Sequence, residues 1–188
     1  MAIGKIIVIV APSGTGKSTL IKKVKAEFTD LLESVSYTTR NIREGETDGI
    51  SYNFIDEETF LKMKDDDEFI EWAQVHSNYY GTSKTFVESE LEKGKNLLFD
   101  LDVQGADSFK AYFKERAQII FIAPPSIPEL EKRLRGRGTD STGVINLRLE
   151  NAKREVLRKD DYDYCVKNEE LEVAFQDLKD TITKILNS

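Results

Sequence analysis

Val10-Ala11-Pro12-Ser13-Gly14-Thr15-Gly16-Lys17-Ser18-Thr19 is the stretch that decides the fold. It follows the apolar run Ile6 to Val10 and precedes an apolar-periodic segment at Leu20, Val24 and Phe28, so it reads as strand, turn and helix in succession. Gly14 and Gly16 let successive backbone N–H groups turn inward around a triphosphate, and the new helix aims its positive end at the same charge. Lys17 reaches the outer phosphates, and the Ser18 hydroxyl suits magnesium. The loop from Ala11 to Thr19 therefore predicts a site for ATP or GTP with Mg2+ as cofactor. Its one departure from the common pattern is Ala11 in place of the first glycine; a methyl group is tolerated there unless the position needs positive φ or very close packing.

Further strand-like runs recur at 96–100 and 118–123, each followed, like the run at 5–10, by a segment able to form a helix. This is the cadence of an α/β fold with a parallel sheet flanked by helices. Ser126, Pro128 and Glu129 predict a helix start for Ile127 to Leu134. A further amphipathic helix carries Leu147, Val156 and Leu157, and Tyr162 to Val166 reads as a short strand. Asn168 is expected to open the last helix, with Leu171, Val173, Phe175, Leu178, Ile182 and Ile185 as its apolar side. From about Ser34 to Gly94 the pattern changes to short alternating pieces cut by Gly45, Gly49 and Gly81, which predicts a small mixed insert on the main sheet.

The chain has 188 residues, 39% of them hydrophobic, enough for one sizeable core with small appendages. Its net charge of −7 argues against general nucleic-acid or anionic-membrane binding, so an anionic ligand must be met by local positive clusters. A single cysteine, Cys165, excludes an internal disulfide framework and reads as a small apolar strand residue. Met1 to Lys5 leads straight into the first strand, and no apolar run approaches membrane-spanning length, so a cytoplasmic protein is expected. The one histidine, His76, makes neither a metal cluster nor a triad, and packing is its favoured role.

A second informative group lies in the insert. Thr38-Thr39-Arg40-Asn41-Ile42-Arg43 sets two guanidinium groups three residues apart, and Glu44-Gly45-Glu46-Thr47-Asp48-Gly49 turns the chain back toward Tyr52. Two arginine forks can clamp a terminal phosphate, and a tyrosine hydroxyl can add a third contact. Glu71, amid Phe69, Ile70 and Trp72, is a carboxylate among large apolar residues and is either functional or paired with a neighbouring arginine.

Taken together these motifs resemble the guanylate kinase family. Ala11 to Ser18 is similar to its P-loop, and Val35 to Glu46 with Gly49 to Phe54 resembles its signature for the GMP site. Phe69 to Ala73, Asn78 to Thr82 and Asp100 to Gly105 continue in the family order. Leu130 to Thr139 resembles the lid, Arg148 the arginine on its far side, and Val166 to Asn168 the segment near the ATP base. The similarity runs from Lys5 to about Leu178. It implies a P-loop nucleoside monophosphate kinase fold divided into core (1–33, 95–126 and 151–188), GMP-binding region (34–94) and mobile lid (127–150). It also implies transfer of the ATP γ-phosphoryl group to GMP, and to dGMP, in a monomer or a homo-oligomer. By this resemblance Ser36, Glu71, Thr82 and Asp102 surround guanine, while Arg40, Arg43, Tyr52 and Tyr80 hold the GMP phosphate. Ala11, Pro12, Ser13, Gly14, Thr15, Gly16, Lys17, Ser18 and Thr19 cradle ATP with Arg133, Arg137 and Asn168.

The chemistry is consistent with that expectation. Guanine offers N1–H and an N2 amino group to a carboxylate such as Glu71, whereas adenine offers a bare N1. Lys17, Arg40, Arg43, Arg137 and Arg148 form the catalytic set that would neutralise the transferring phosphoryl group, with Ser18 and Asp100 ordering magnesium. Asp100 and Asp102 are alternate residues that can exchange or share roles, and Arg133, at helical spacing from Glu129, can equally be solvated. Three other readings use the same loop: a kinase of another phosphorylated acceptor, a silent interaction module of the same family, and a GTPase. The first lacks a reason for the Ser36, Glu71, Thr82 and Asp102 set, the second for an intact Lys17 and lid arginines, and the third for the Arg40, Arg43 and Tyr52 cluster.

Overall fold

A computed structural model describes residues 3–75, 77–136 and 141–188. In chain order the elements are β1 (Ile6–Val10), α1 (Lys17–Glu27), β2 (Leu31–Glu33), β3 (Tyr37–Thr38), β4 (Asn53–Phe54), α2 (Glu57–Asp65), β5 (Phe69–Val75), β6 (Asn78–Ser83) and α3 (Lys84–Glu92). They continue with β7 (Asn96–Leu101), α4 (Val103–Phe113), β8 (Ala117–Ala123), α5 (Ile127–Gly136), α6 (Thr142–Leu157), β9 (Tyr164–Lys167) and α7 (Leu171–Leu186). Among the described residues these strands build two sheets.

The larger sheet runs β2-β7-β1-β8-β9, parallel throughout, with β1 at its centre. Helices cover both faces, so β1 is apolar at every position and not at alternate ones. Ile6, Val8 and Val10 enter one core with Val87 and Leu91 of α3 and Ala106, Phe109 and Phe113 of α4. Ile7 and Ile9 enter the other with Leu20, Ile21 and Val24 of α1 and Leu178, Ile182 and Ile185 of α7. At about 1.5–3 kcal/mol per fully buried large apolar side chain, this two-faced strand anchors the loop that leaves its end. The smaller sheet is mixed, in the order β4-β3-β6-β5, with β3 parallel to β4 and antiparallel to β6. α2 caps it through Phe60, stacked against Phe69 and Tyr79.

The expected helix start at Ser126 is present, its hydroxyl accepting from the Glu129 amide at 3.3 Å. Five expectations are corrected. α7 starts at Leu171 and not at Asn168, whose side chain is drawn away from the helix to the loop after β1. The buried stripe of α7 is Ala174, Leu178, Ile182 and Ile185, and Val173 falls off it with 56% exposure. In α6 the buried residues are Ile145, Leu149 and Ala152, which pack on Leu130 and Leu134 of α5, while Leu147 and Leu157 point to solvent. Tyr162 precedes β9 and does not belong to it, stacking flat on Phe121 at 5.6 Å between ring centroids. Cys165 lies in β9 but is exposed, and burial of its thiol raises its pKa, so it behaves as neither a core residue nor a reactive thiolate.

Candidate active site

The loop after β1 is built by its glycines. Gly14 and Gly16 have φ of 89° and 96°, in the left-handed region that side chains avoid. A Cβ on Gly14 would come within 2.7 Å of the Leu134 side chain, and one on Gly16 within 2.6 Å of the Asn168 amide nitrogen. Thr15 is fully buried, its hydroxyl donating to the Pro12 carbonyl at 2.7 Å. The Asn168 amide donates to the Thr15 carbonyl at 2.6 Å, which explains why it does not cap α7: a buried loop carbonyl needs a donor, and β9 delivers one. Beyond the loop, α1 begins at Lys17 and turns its N-terminus toward a cavity of about 380 Å³ lined by residues 11–19, Asp102, Val103 and Glu155.

Among the described residues, Lys17, Arg148 and Arg133 near this cavity each have partners inside the protein. Lys17 bridges to Asp100 at 2.5 Å and donates to the Leu101 carbonyl at 2.7 Å, so it points at the C-terminal end of β7. Arg148 of α6 donates to the Ser13 hydroxyl at 3.0 Å. Arg133 donates to the carbonyls of Asn168 and Glu169 at 3.1 and 3.3 Å and lies 3.6 Å from Glu129, so it is tied to the β9–α7 connection and is not merely solvated. Arg137, Gly138, Thr139 and Asp140 of the expected lid, and His76, lie outside the described residues.

A second cavity of about 310 Å³ lies between the two sheets, with Ser36, Tyr52, Glu71, Tyr80, Asp100 and Asp102 on its wall. It shares Asp102 with the loop cavity and shares Ser36, Tyr52, Asp100 and Leu101 with an adjoining hollow of about 260 Å³. Asp102 caps α4, one carboxylate oxygen accepting from the Gly105 amide at 2.8 Å. Glu71 has no arginine partner among the described contacts. It accepts from the Thr82 hydroxyl at 2.6 Å. Burial pushes the Glu71 carboxyl above the usual range, the charge of Asp102 adds to that, and the Thr82 hydrogen bond opposes it.

At one end of this cavity Glu46 organises the arginine pair. Its carboxylate accepts from both terminal nitrogens of Arg40, at 2.7 and 3.0 Å, and from the Arg43 amide at 2.8 Å. The Arg40 bond is the main cause that lowers the Glu46 pKa, and the same bond raises that of Arg40. Arg40 also lies over the Tyr52 ring at 5.4 Å, and Tyr52 meets Tyr80 edge-on at 5.9 Å. The Arg43 residue is exposed.

Sequence reasoning did not single out Glu46 or Glu155. Glu46 carries a signal in hindsight, an acid three residues past a pair of arginines at i and i+3. Glu155 carries none, since it sits in a charged helical stretch; only the fold brings it to the loop cavity, where burial and then the Asp102 charge raise its pKa while Lys17 opposes.

The comparisons with known proteins bear on this same arrangement of loop, two cavities and arginine pair. The family model described as guanylate kinase matches residues 3–185. The chain belongs to the guanylate kinase family. It is 46% identical over 176 residues to the guanylate kinase of Oleidesulfovibrio alaskensis, covering 94% of this chain and 85% of that protein. It is 47% identical over 176 residues to that of Chromobacterium violaceum, covering 94% and 83%. Among solved structures, the guanylate kinase from Anaplasma phagocytophilum superposes with a TM-score of 0.72 at 33% identity, covering all of this chain and 88% of that one. The α/β fold of this family member, with its parallel sheet and smaller mixed sheet, is the one the sequence led us to expect.

Proposed function

We propose that this guanylate kinase family member transfers the γ-phosphoryl group of ATP to GMP, and to dGMP, giving ADP and GDP (or dGDP), across the junction of the two cavities. The observation that carries this reading is Lys17, which starts in the loop lining the first cavity and ends on Asp100, a wall residue of the second cavity. A nucleotide in each cavity would thus bring its phosphates to the same place.

In this reading the P-loop amides of residues 11–19 and Lys17 hold the ATP phosphates, with Arg133 and Asn168 beside its base. Ser36, Glu71, Thr82 and Asp102 surround guanine, while Arg40, Arg43, Tyr52 and Tyr80 hold the GMP phosphate. The lid of 127–150 brings Arg137 and Arg148 over the transferring group, and 34–94 serves as the acceptor-binding region. No general base is needed: a phosphate monoester has a second pKa near ~6, so its oxygen is already ionised at neutral pH. The work of the side chains is therefore to bring mutually repelling anions into line and neutralise them.

Magnesium fits the donors present. Ser18 and Asp100 supply two hard oxygens, and no group of three or more His, Cys, Asp or Glu residues among the described ones could hold an ion unaided. That suits a small cation which keeps several waters and completes its shell with substrate phosphates. Bound there, it would screen the phosphate charge. A cytoplasmic location accords with the net charge of −7 and with the absence, among the described residues, of a helix long and apolar enough to cross a membrane. The test is kcat/KM for GMP, dGMP, AMP, CMP and UMP with ATP. We expect GMP to exceed AMP at least about a hundredfold, since a carboxylate left facing the bare N1 of adenine is an unpaired acceptor. Comparable values for AMP would overturn the assignment.

A further inference from the structure

Among the described residues of α6, only Glu155 lines the loop cavity, and the transfer reaction as derived above gives it no task. It stands seven positions after Arg148, two turns along one helix face, so the arginine that meets Ser13 and the carboxylate on the cavity wall point to the same side. The helix is pinned around it. Ala152 packs on Leu130 and Leu134, Val156 packs against the core that holds Ile6 and Val8, and Arg158 clasps both carboxylate oxygens of Asp107 on α4 at 2.7 and 2.9 Å. Glu155 is half-buried, and among the described residues its carboxylate makes no hydrogen bond or ion pair.

A carboxylate fixed beside a polyphosphate site repels the ligand, and burial strengthens the repulsion because water screens it less. Asp102 stands on the same wall, and the Lys17 ammonium, which would offset both, rests on Asp100. Burial and then the Asp102 charge push the Glu155 pKa up against the pull of Lys17, as expected of a carboxylate whose charge is under-compensated. A bare nucleoside triphosphate brings about four negative charges to this wall, and its magnesium complex about two. Magnesium also keeps several waters, each of which donates hydrogen bonds. The same unpartnered acceptor therefore opposes one form of the ligand and suits the other.

We propose that Glu155 is a specificity residue of the loop cavity, disfavouring a bare nucleoside triphosphate and so restricting the site to the magnesium complex. This rests on the reading of the loop cavity as the ATP site. It accounts for a carboxylate on the wall of an anion site: its penalty falls on the ligand that lacks the cation. The pinned helix matters to this role, since a carboxylate on a loose segment would turn to solvent and discriminate nothing.

The experiment is titration calorimetry of the full chain with ATP at pH 8, once with EDTA and once with excess Mg2+, and without GMP so that no transfer occurs. Glu155→Gln should strengthen binding of metal-free ATP about tenfold and change binding of the magnesium complex less than about threefold, so that the parent's preference for the complex narrows. Glu155→Asp, which keeps the charge, should retain most of that preference. Glu150→Gln removes one exposed carboxylate of α6 that is paired with Lys153, and should alter neither affinity by more than about twofold, which controls for net charge. GMP affinity, unchanged within about twofold in each variant, reports that the protein is folded, since Glu155 is absent from the wall of the second cavity. A parent without preference for the magnesium complex, or a narrowing of less than about threefold in Glu155→Gln, would overturn the proposal; so would an equal gain for both forms, which would mark Glu155 as a source of general repulsion only. Should Glu155→Gln not fold, Glu155→Ala takes its place with the same expected and refuting outcomes. Failure of the underlying reading looks different: the parent would then bind ATP in neither form.

Discussion

Glu71→Gln separates what this residue does for the substrate from what it does to the fold. The change keeps the shape and still offers Thr82 an acceptor, but it turns one oxygen that would face guanine into an NH2 donor aimed at other donors. Loss of one hydrogen bond to a charged group is worth about 1.5–3 kcal/mol, so GMP affinity should fall by roughly 10–150-fold. ATP affinity should not move, because Glu71 lies on the second cavity and the loop cavity lacks it. Stability should change in the opposite sense. The Glu71 pKa is raised in the folded state, first by burial and then by the Asp102 charge, so the native protein holds this proton more tightly than the unfolded chain. Its full stability is present below the unfolded glutamate pKa of about 4.3 and is lost as pH rises through the higher folded value. Glutamine is free of that loss. The variant should therefore melt higher than the parent at pH 7.5, with the gap closing as pH falls toward 4. Titration of GMP and ATP together with melting curves across this range is the assay. Equal losses for both nucleotides, or a lower Tm at pH 7.5, would refute the reasoning.

Four other changes follow from the same geometry. Glu46→Ala releases both terminal nitrogens of Arg40 and the Arg43 amide, so KM for GMP should rise about tenfold at unchanged KM for ATP, as steady-state kinetics would register. Gly16→Ala forces a side chain to φ 96° and against the Asn168 amide, so it should destabilise the protein by about 1–2 kcal/mol or more and weaken ATP in calorimetry; parent-like values would show that the loop relaxes freely. Arg148→Ala should lower the single-turnover rate strongly while leaving GMP affinity nearly intact, whereas Arg43→Ala should weaken GMP binding as well; the reverse pattern would exchange their roles.

The sequence makes the central sheet and the loop readable for a physical reason. β1, Leu97 to Phe99 of β7 and Ile119 to Ala123 of β8 are buried on two faces and so are uninterrupted apolar runs, and Gly14 and Gly16 occupy backbone conformations that no other residue adopts cheaply. The spatial order β2-β7-β1-β8-β9 is not written in any local pattern, since β7 joins β1 only after an intervening sheet. Helix faces misled where apolar residues were counted without phase: Leu157 and Val173 are apolar yet exposed, and the small Ala152 and Ala174 pack in the core. Asn168 shows the limit most clearly. As a good capping residue before an apolar helix it predicts a start there, but a carbonyl 153 positions away in the chain, that of Thr15, claims its side chain. The site residues were named by motif; their partners, Glu46 for Arg40 and Thr82 for Glu71, depend on turn closure and strand register that motifs do not encode.

Those partners share a consequence. Lys17 rests on Asp100, Arg40 on Glu46 and Arg133 on two carbonyls, so a phosphate entering either cavity meets cations that already have acceptors. Displacing a carboxylate from a guanidinium costs part of the binding energy, and a singly charged ligand gains little by the exchange. A phosphate dianion or a triphosphate brings more charge and more oxygens than the group it replaces, so the arrangement favours those ligands over ordinary anions. The Lys17 exchange also joins the two cavities. If Lys17 turns to a triphosphate, the Asp100 carboxylate on the wall of the second cavity loses its counter-ion, and the charge facing the acceptor changes with the donor's arrival. In a protein of net charge −7, Lys17 and Arg40 are each held by a carboxylate of the protein's own, Asp100 and Glu46, which only a more highly charged ligand would displace with a net gain.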